Sequence, residues 1–229
     1  MKRQYSLVIF DWDGTLMDST ARIISCMQKT AKIVGLPIPT PTKVKSIIGL
    51  SMDAVLDHIF PGSENKQRKE LIDIYRQQYI ELDTTPSPLF EGSLSLLNWL
   101  KEKDYIIAVA TGKARVGLNR ALSSVDMLDF FEYSICADEA MSKPHPEMVN
   151  RLLADTAIPA EKTIVIGDSV HDLKMANNAG VDAIGVTSGA NTFDELLVHA
   201  PLKIYQEVHH IQEMFEFDSE PNELNMIES

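Results

Sequence analysis

Short, almost wholly apolar runs recur along the chain: YSLVIF (5–10), YIIAVA (105–110), YSICA (133–137), TIVIG (163–167), DAIGV (182–186) and KIY (203–205). They do not alternate apolar with polar residues, so each predicts a strand buried on both faces, as in a parallel sheet covered by helices. Between them lie segments with apolar residues three and four apart: GSLSLLNWLKEK (92–103), ARVGLNRALSSV (114–125), PEMVNRLLADT (146–156) and DLKMANNAG (172–180). Strand alternating with helix predicts an α/β fold with a doubly wound parallel sheet.

One stretch breaks this rhythm. From about Ser19 to Leu82 the pattern is helical throughout. ARIISCMQKTAKIV places Ile23, Ile24, Met27, Ala31 and Val34 on one face, and VKSIIGLSMDAVLDHIF and ELIDIYRQQYIEL repeat the period. Pro86 and Pro88 then force an extended linker. The predicted organisation is an α/β core of residues 1–17 and 86–216, a small all-helical cap of residues 18–85 inserted after the first strand, and a loose acidic tail, 217–229.

Composition narrows the partners. Among 229 residues, 33 acidic side chains against 21 Lys and Arg leave a net charge of −12, which argues against a nucleic-acid or anionic-membrane surface. The basic start is followed by too short an apolar run for a signal segment, and a cytoplasmic setting is expected. Cys26 and Cys136 lie far apart with no metal or redox spacing and read as small core residues.

In an open α/β sheet, ligands bind beyond the carboxyl ends of the strands. Asp11 and Asp13 follow the first strand, Thr111 ends the second, and Asp168 with Asp172 follows the fourth. Lys143 lies in the loop before the helix that leads into the fourth. Asp168, Ser169 and Asp172 also fit a plain helix N-cap. Taken together, four carboxylates and one lysine leave excess negative charge. A like pair at ~4 Å costs on the order of 4 kcal/mol at an effective dielectric of 20. A hard divalent cation with oxygen ligands, Mg²⁺, would relieve it.

These segments carry a resemblance. DWDGTLMDS, TGK, SKP and GDSVHD resemble, in order, the four motifs of the haloacid dehalogenase-like hydrolases, with a helical insertion after the first. DSTARI, ATGKARVGLNRAL and SKPHPEMVNRLL are most similar to the phosphoglycolate phosphatase-like branch. The resemblance implies a Rossmann-like core and a phosphatase acting on a small phosphorylated metabolite. It implies Asp11 as nucleophile forming an aspartyl-phosphate and Asp13 as acid and base. Mg²⁺ would be held by Asp11, the Asp13 carbonyl and Asp168, with Asp172 orienting Lys143 or a metal-bound water. Thr111 and the Gly112 amide would grip phosphoryl oxygens while Lys143 neutralises charge. Asp13 favours ester hydrolysis over dehalogenation. Two alternatives stand beside this. One is a sugar-phosphate mutase of the β-phosphoglucomutase type, although DSTARI lacks the histidine such mutases carry. The other is a non-catalytic phosphate-binding module.

Other polar residues say less. TGK lacks the glycine spacing of a nucleotide P-loop, Ile107 standing five before Gly112. His171 reads as a partly exposed helix-start residue, and His145 fits either a site wall or a helix start. Arg22, Lys43, Lys45, Ser51 and His58 are polar residues of the insertion, in which GLSMDAVL (49–56) is the candidate substrate-facing helix start.

Overall fold

The structure, a computed structural model, describes residues 5–217. Strand β1 (Leu7–Phe10) is followed by helices α1 (Thr20–Val34), α2 (Pro41–Lys45), α3 (Met52–Ile59) and α4 (Asn65–Gln77), the last running into a π-helical turn at Gln78–Leu82. Then come α5 (Ser93–Glu102), β2 (Ile106–Thr111), α6 (Arg115–Ser123), β3 (Tyr133–Cys136), α7 (Glu147–Thr156), β4 (Thr163–Gly167) and α8 (Val170–Ala179). The chain closes with β5 (Asp182–Val186), α9 (Phe193–Leu197), β6 (Lys203–Tyr205) and α10 (Gln212–Phe217). The acidic segment predicted as a tail lies, beyond residue 217, outside the described residues.

The strands form one parallel sheet in the order β3-β2-β1-β4-β5-β6. Its double winding explains the unbroken apolar strands, since each must fill two cores. Val8 and Phe10 of β1 pack with Leu96, Leu97 and Leu100 of α5 and Leu118 of α6 on one face. Leu7 and Ile9 pack with Met148 and Leu152 of α7 and Leu173 of α8 on the other. The chain order reverses between β1 and β4, and the crevice where it does so is the expected ligand site.

The segment between β1 and α5 builds a third apolar cluster of its own, from Ile23, Met27 and Ala31 of α1 to Leu56 of α3 and Leu71 of α4. Here the structure corrects one expectation. VKSIIGLSMDAVLDHIF is not a continuous helical stretch but α2 and α3 separated by a turn. Gly49 sits at φ +93°, outside right-handed helix, and Ser51 starts a new helix by accepting from the Ala54 amide. Ile47, Ile48 and Leu50 of the turn remain buried, which is why their periodicity mimics a helix.

Candidate active site

Phe10 lies in register with Val109 of β2 and Ile166 of β4, so all three central strands release their chains at one edge. The Asp11 amide still donates to the Ile166 carbonyl, at 2.9 Å, and extends the ladder by one residue. Asp11, Thr111 and Asp168 are therefore carried to the same edge, all buried.

Lys143 closes the first part of the site. Its Nζ lies 2.8 Å from Asp11 Oδ1 and 2.6 Å from Asp172 Oδ1, with no exposed side-chain surface. Asp172 uses its other oxygen, Oδ2, to accept from the amide and hydroxyl of Ser169, completing a capping box on α8. The N-cap reading of these residues is borne out, and Asp172 also contacts Lys143. One carboxylate fixes the helix start and holds the lysine.

Asp168 is clamped from two loops. Its Oδ1 accepts from the Thr15 hydroxyl at 2.9 Å and its Oδ2 from the Ala190 amide at 2.7 Å. A Cβ on Gly14 would come 2.3 Å from Asp168 Oδ2, and one on Gly189 would come 2.0 Å from it. Glycine is required at both places by this approach, and Gly14 also adopts φ +84°. Thr15 stands within the DWDGTLMDS segment, so its signal was present. Gly189 and Ala190 carry none, because only β5's position beside β4 brings their loop here.

Asp13 belongs to a separate ion pair. Its Oδ2 lies 2.9 Å from Lys113 Nζ, and its Oδ1 accepts from the Ser19 hydroxyl. Sequence reasoning quoted Lys113 in TGK and gave it no role, so the charge count changes. Four carboxylates meet two lysines, Lys143 buried and Lys113 partly so, which leaves two negative charges unbalanced. Thr111 ends β2 with its Oγ1 accepting from the Lys113 amide at 3.3 Å.

Electrostatics locate the imbalance. Burial, opposed by Lys143 and reinforced by Asp172 and Asp13, pushes Asp11 up to about 7. Asp168 is held well above the usual carboxylate range by burial and by its neighbours Asp11 and Asp172. Burial disfavours the Lys143 cation, yet Asp11 and Asp172 hold it above the ordinary lysine range. Asp11 Oδ2 is buried with no hydrogen-bond partner. Carboxylate oxygens of Asp11, Asp168 and Asp172 lie within 4.8 Å of one another. An orphaned oxygen, hard oxygen donors and two surplus charges fit a divalent cation of the Mg²⁺ type.

The helical insertion covers this edge. Gly112 lies so close to the turn before α3 that a Cβ on it would come 2.5 Å from the Gly49 carbonyl oxygen and 2.6 Å from that of Leu50. The Ser51 amide donates to Ser142 Oγ at 2.9 Å, beside Lys143. His171, its pKa lowered by burial, bonds through Nε2 to the Ser46 carbonyl at 3.0 Å. From the π-helical turn, the Tyr79 hydroxyl lies 3.4 Å from Lys113 Nζ. Of the polar residues singled out in the insertion, Ser51 meets the core directly. Arg22 instead ties the carbonyls of Tyr79 and Asp83, and Lys43 and His58 bond within the insertion. His145 is exposed, its Nδ1 accepting from the Glu147 amide at the start of α7.

Comparison with known proteins agrees with this architecture. Residues 8–186 match the family described as haloacid dehalogenase-like hydrolase. The chain is 32% identical over 201 residues to the protein named probable phosphatase IndB of Dickeya dadantii, covering 85% of this chain and 86% of that one. It is 28% identical to the phosphoglycolate phosphatase of Nitrosococcus oceani, covering 83% and 88%. A crystal structure of a hydrolase from Pseudomonas syringae superposes with a TM-score of 0.82 at 21% identity, covering 93% and 98%. Among the described residues no helix is long and apolar enough to cross a membrane.

Proposed function

The chain belongs to the haloacid dehalogenase-like hydrolase family, and from that premise we propose that it hydrolyses a small phosphomonoester through a phosphorylated aspartate. The observation that carries this reading is the Asp11 carboxylate. It is buried, paired with Lys143 through one oxygen, and has no partner on the other. Such a group is costly to bury for structure alone. It makes sense as a nucleophile whose charge is balanced from both sides.

Asp11 attacks phosphorus, forming a carboxylate oxygen–phosphorus bond as the ester oxygen leaves. Asp13 delivers a proton to that oxygen, and an alcohol departs. Asp13 then takes a proton from water as the water oxygen bonds to phosphorus. The acyl-phosphate bond breaks, returning free Asp11 and inorganic phosphate. Lys143 faces Asp11 throughout and offsets the charge that gathers on the transferring group. Thr111 and the Gly112 amide, at the end of β2, supply further donors to it. Asp11 and Asp168, with the Asp13 carbonyl, would hold Mg²⁺, which supplies Lewis-acid stabilisation of phosphoryl oxygens. Asp172 keeps Lys143 in place from α8. The helices over the site exclude water and face the alcohol portion of the substrate.

Relatives named phosphoglycolate phosphatase make 2-phosphoglycolate the first substrate to assay. Acid quenching during turnover of a radiolabelled phosphate ester with Mg²⁺, followed by peptide mapping, should place label on Asp11. Asp11→Asn should lose both the label and more than about 1000-fold in kcat. Full turnover without any label on residue 11 would refute the reading.

A further inference from the structure

Resting on that reading, we propose that Lys113 selects the substrate: it pairs with an anionic group on the leaving alcohol, exchanging Asp13 for it when substrate binds. The site holds two lysines with separate duties, Lys143 buried and Lys113 partly exposed. Lys143 is committed to Asp11 and Asp172, on the side of the phosphoryl group. Lys113 touches neither. Its Nζ lies 2.9 Å from the group that must face the leaving oxygen and 3.4 Å from Tyr79 of the helical insertion, so it stands where the alcohol portion must sit.

Occupancy of Asp13 gives the second step. Its Oδ1 is taken by Ser19 and its Oδ2 by Lys113. Lys113 and the leaving ester oxygen compete for Asp13 Oδ2, so drawing Lys113 aside favours productive binding. A neutral alcohol offers the lysine nothing better than Asp13. An oxyanion on the leaving group offers an equivalent partner and clears Asp13 Oδ2 in the same motion.

The surroundings suit a negative charge. Lys113 lies 4.8 Å above the Tyr79 ring, and the Arg22 guanidinium lies 5.0 Å from the same ring centre. Arg22 Nε, on the guanidinium that reaches this ring, is buried with no hydrogen-bond partner. The binding energy of a distal charge is thereby spent on assembling the reacting groups rather than on affinity alone. The predicted substrate class is a short phosphomonoester whose alcohol carries a carboxylate or a second phosphoryl group.

The test compares kcat/KM, with Mg²⁺, for four esters of one skeleton: 2-phosphoglycolate, its neutral amide, 2-aminoethyl phosphate and ethylene glycol bisphosphate. Wild type should favour at least one of the two anionic esters over the amide by about 10- to 100-fold. Which of the two leads separates a carboxylate from a phosphoryl partner. Lys113→Met should erase most of that ratio, and Lys113→Arg should keep more of it than Met does. Wild-type turnover of the amide as fast as both anionic esters would overturn the proposal, without need of any variant. So would a preference that survives intact in Lys113→Met. Failure of wild type to cleave any of the four, or p-nitrophenyl phosphate, would instead count against the phosphatase reading.

Discussion

Gly112→Ala tests whether the insertion must press on the second strand's end for turnover. Gly112 does not adopt a left-handed φ, and alanine keeps its amide, so backbone and phosphoryl contact survive the change. Only space is altered. The new methyl would stand 2.5 Å from the Gly49 oxygen and 2.6 Å from the Leu50 oxygen, both backbone atoms that cannot rotate away. Since real Cβ atoms keep at least 3.0 Å from such neighbours, the turn must retreat by about 0.5 Å or more. Overpacking of this kind costs about 1–3 kcal/mol, and here it falls on the contact between the insertion and the end of β2 rather than on the cores of the sheet. A penalty of that size corresponds to about 5- to 150-fold. We expect kcat/KM to fall by that factor with the melting temperature of the α/β core nearly unchanged. Amide exchange at Ser51, whose N–H is held by Ser142 across the interface, should accelerate in parallel. Wild-type kcat/KM in Gly112→Ala, with Ser51 exchange unaltered, would refute the argument that this contact is needed for activity.

Mg²⁺ at about 100 times its dissociation constant should stabilise the wild type by about 2.7 kcal/mol in thermal unfolding, and Asp168→Asn should lose most of that gain; an equal gain in both would exclude Asp168 as a ligand. Asp83 tests the exit from the insertion. Its buried carboxylate accepts from Ser25 (2.6 Å), Lys29 (2.7 Å) and the Thr85 amide (2.8 Å), and these bonds outweigh burial and hold it below the usual range. A depressed folded-state pKa contributes stability that is present above the unfolded value of about 3.9 and is lost as pH falls through the folded one. Asp83→Asn should therefore destabilise by about 1–3 kcal/mol at pH 7, with the difference from wild type shrinking below about pH 4; a difference independent of pH would show that the charge is not responsible.

Particular residues show what the chain discloses before it folds. Val8, Phe10 and their counterparts must fill cores on both faces of a sheet, and that demand leaves unbroken apolar runs in the sequence whatever the strand order. Asp11, Thr111 and Asp168 were legible because a polar residue directly after such a run has to lie at a strand's carboxyl end. Asp172 was legible as a cap of α8, which its spacing from Ser169 announces. These are local requirements, and local pattern records them.

Tertiary structure alone decided the rest. The order β3-β2-β1-β4-β5-β6 depends on which strands pair, and no strand carries a mark of its neighbour. Lys113 looked like any loop lysine until the fold set it against Asp13 and beneath Tyr79, residues 100 and 34 positions away. Gly189 is a glycine only because β5 lies beside β4 and brings its loop against Asp168. The start of α3 was legible in GLSMDAVL, whereas the end of α2 was masked because buried residues of a turn can share a helix's spacing. Contact between distant segments is a property of the packed chain, so sequence periodicity, which samples one element at a time, cannot encode it.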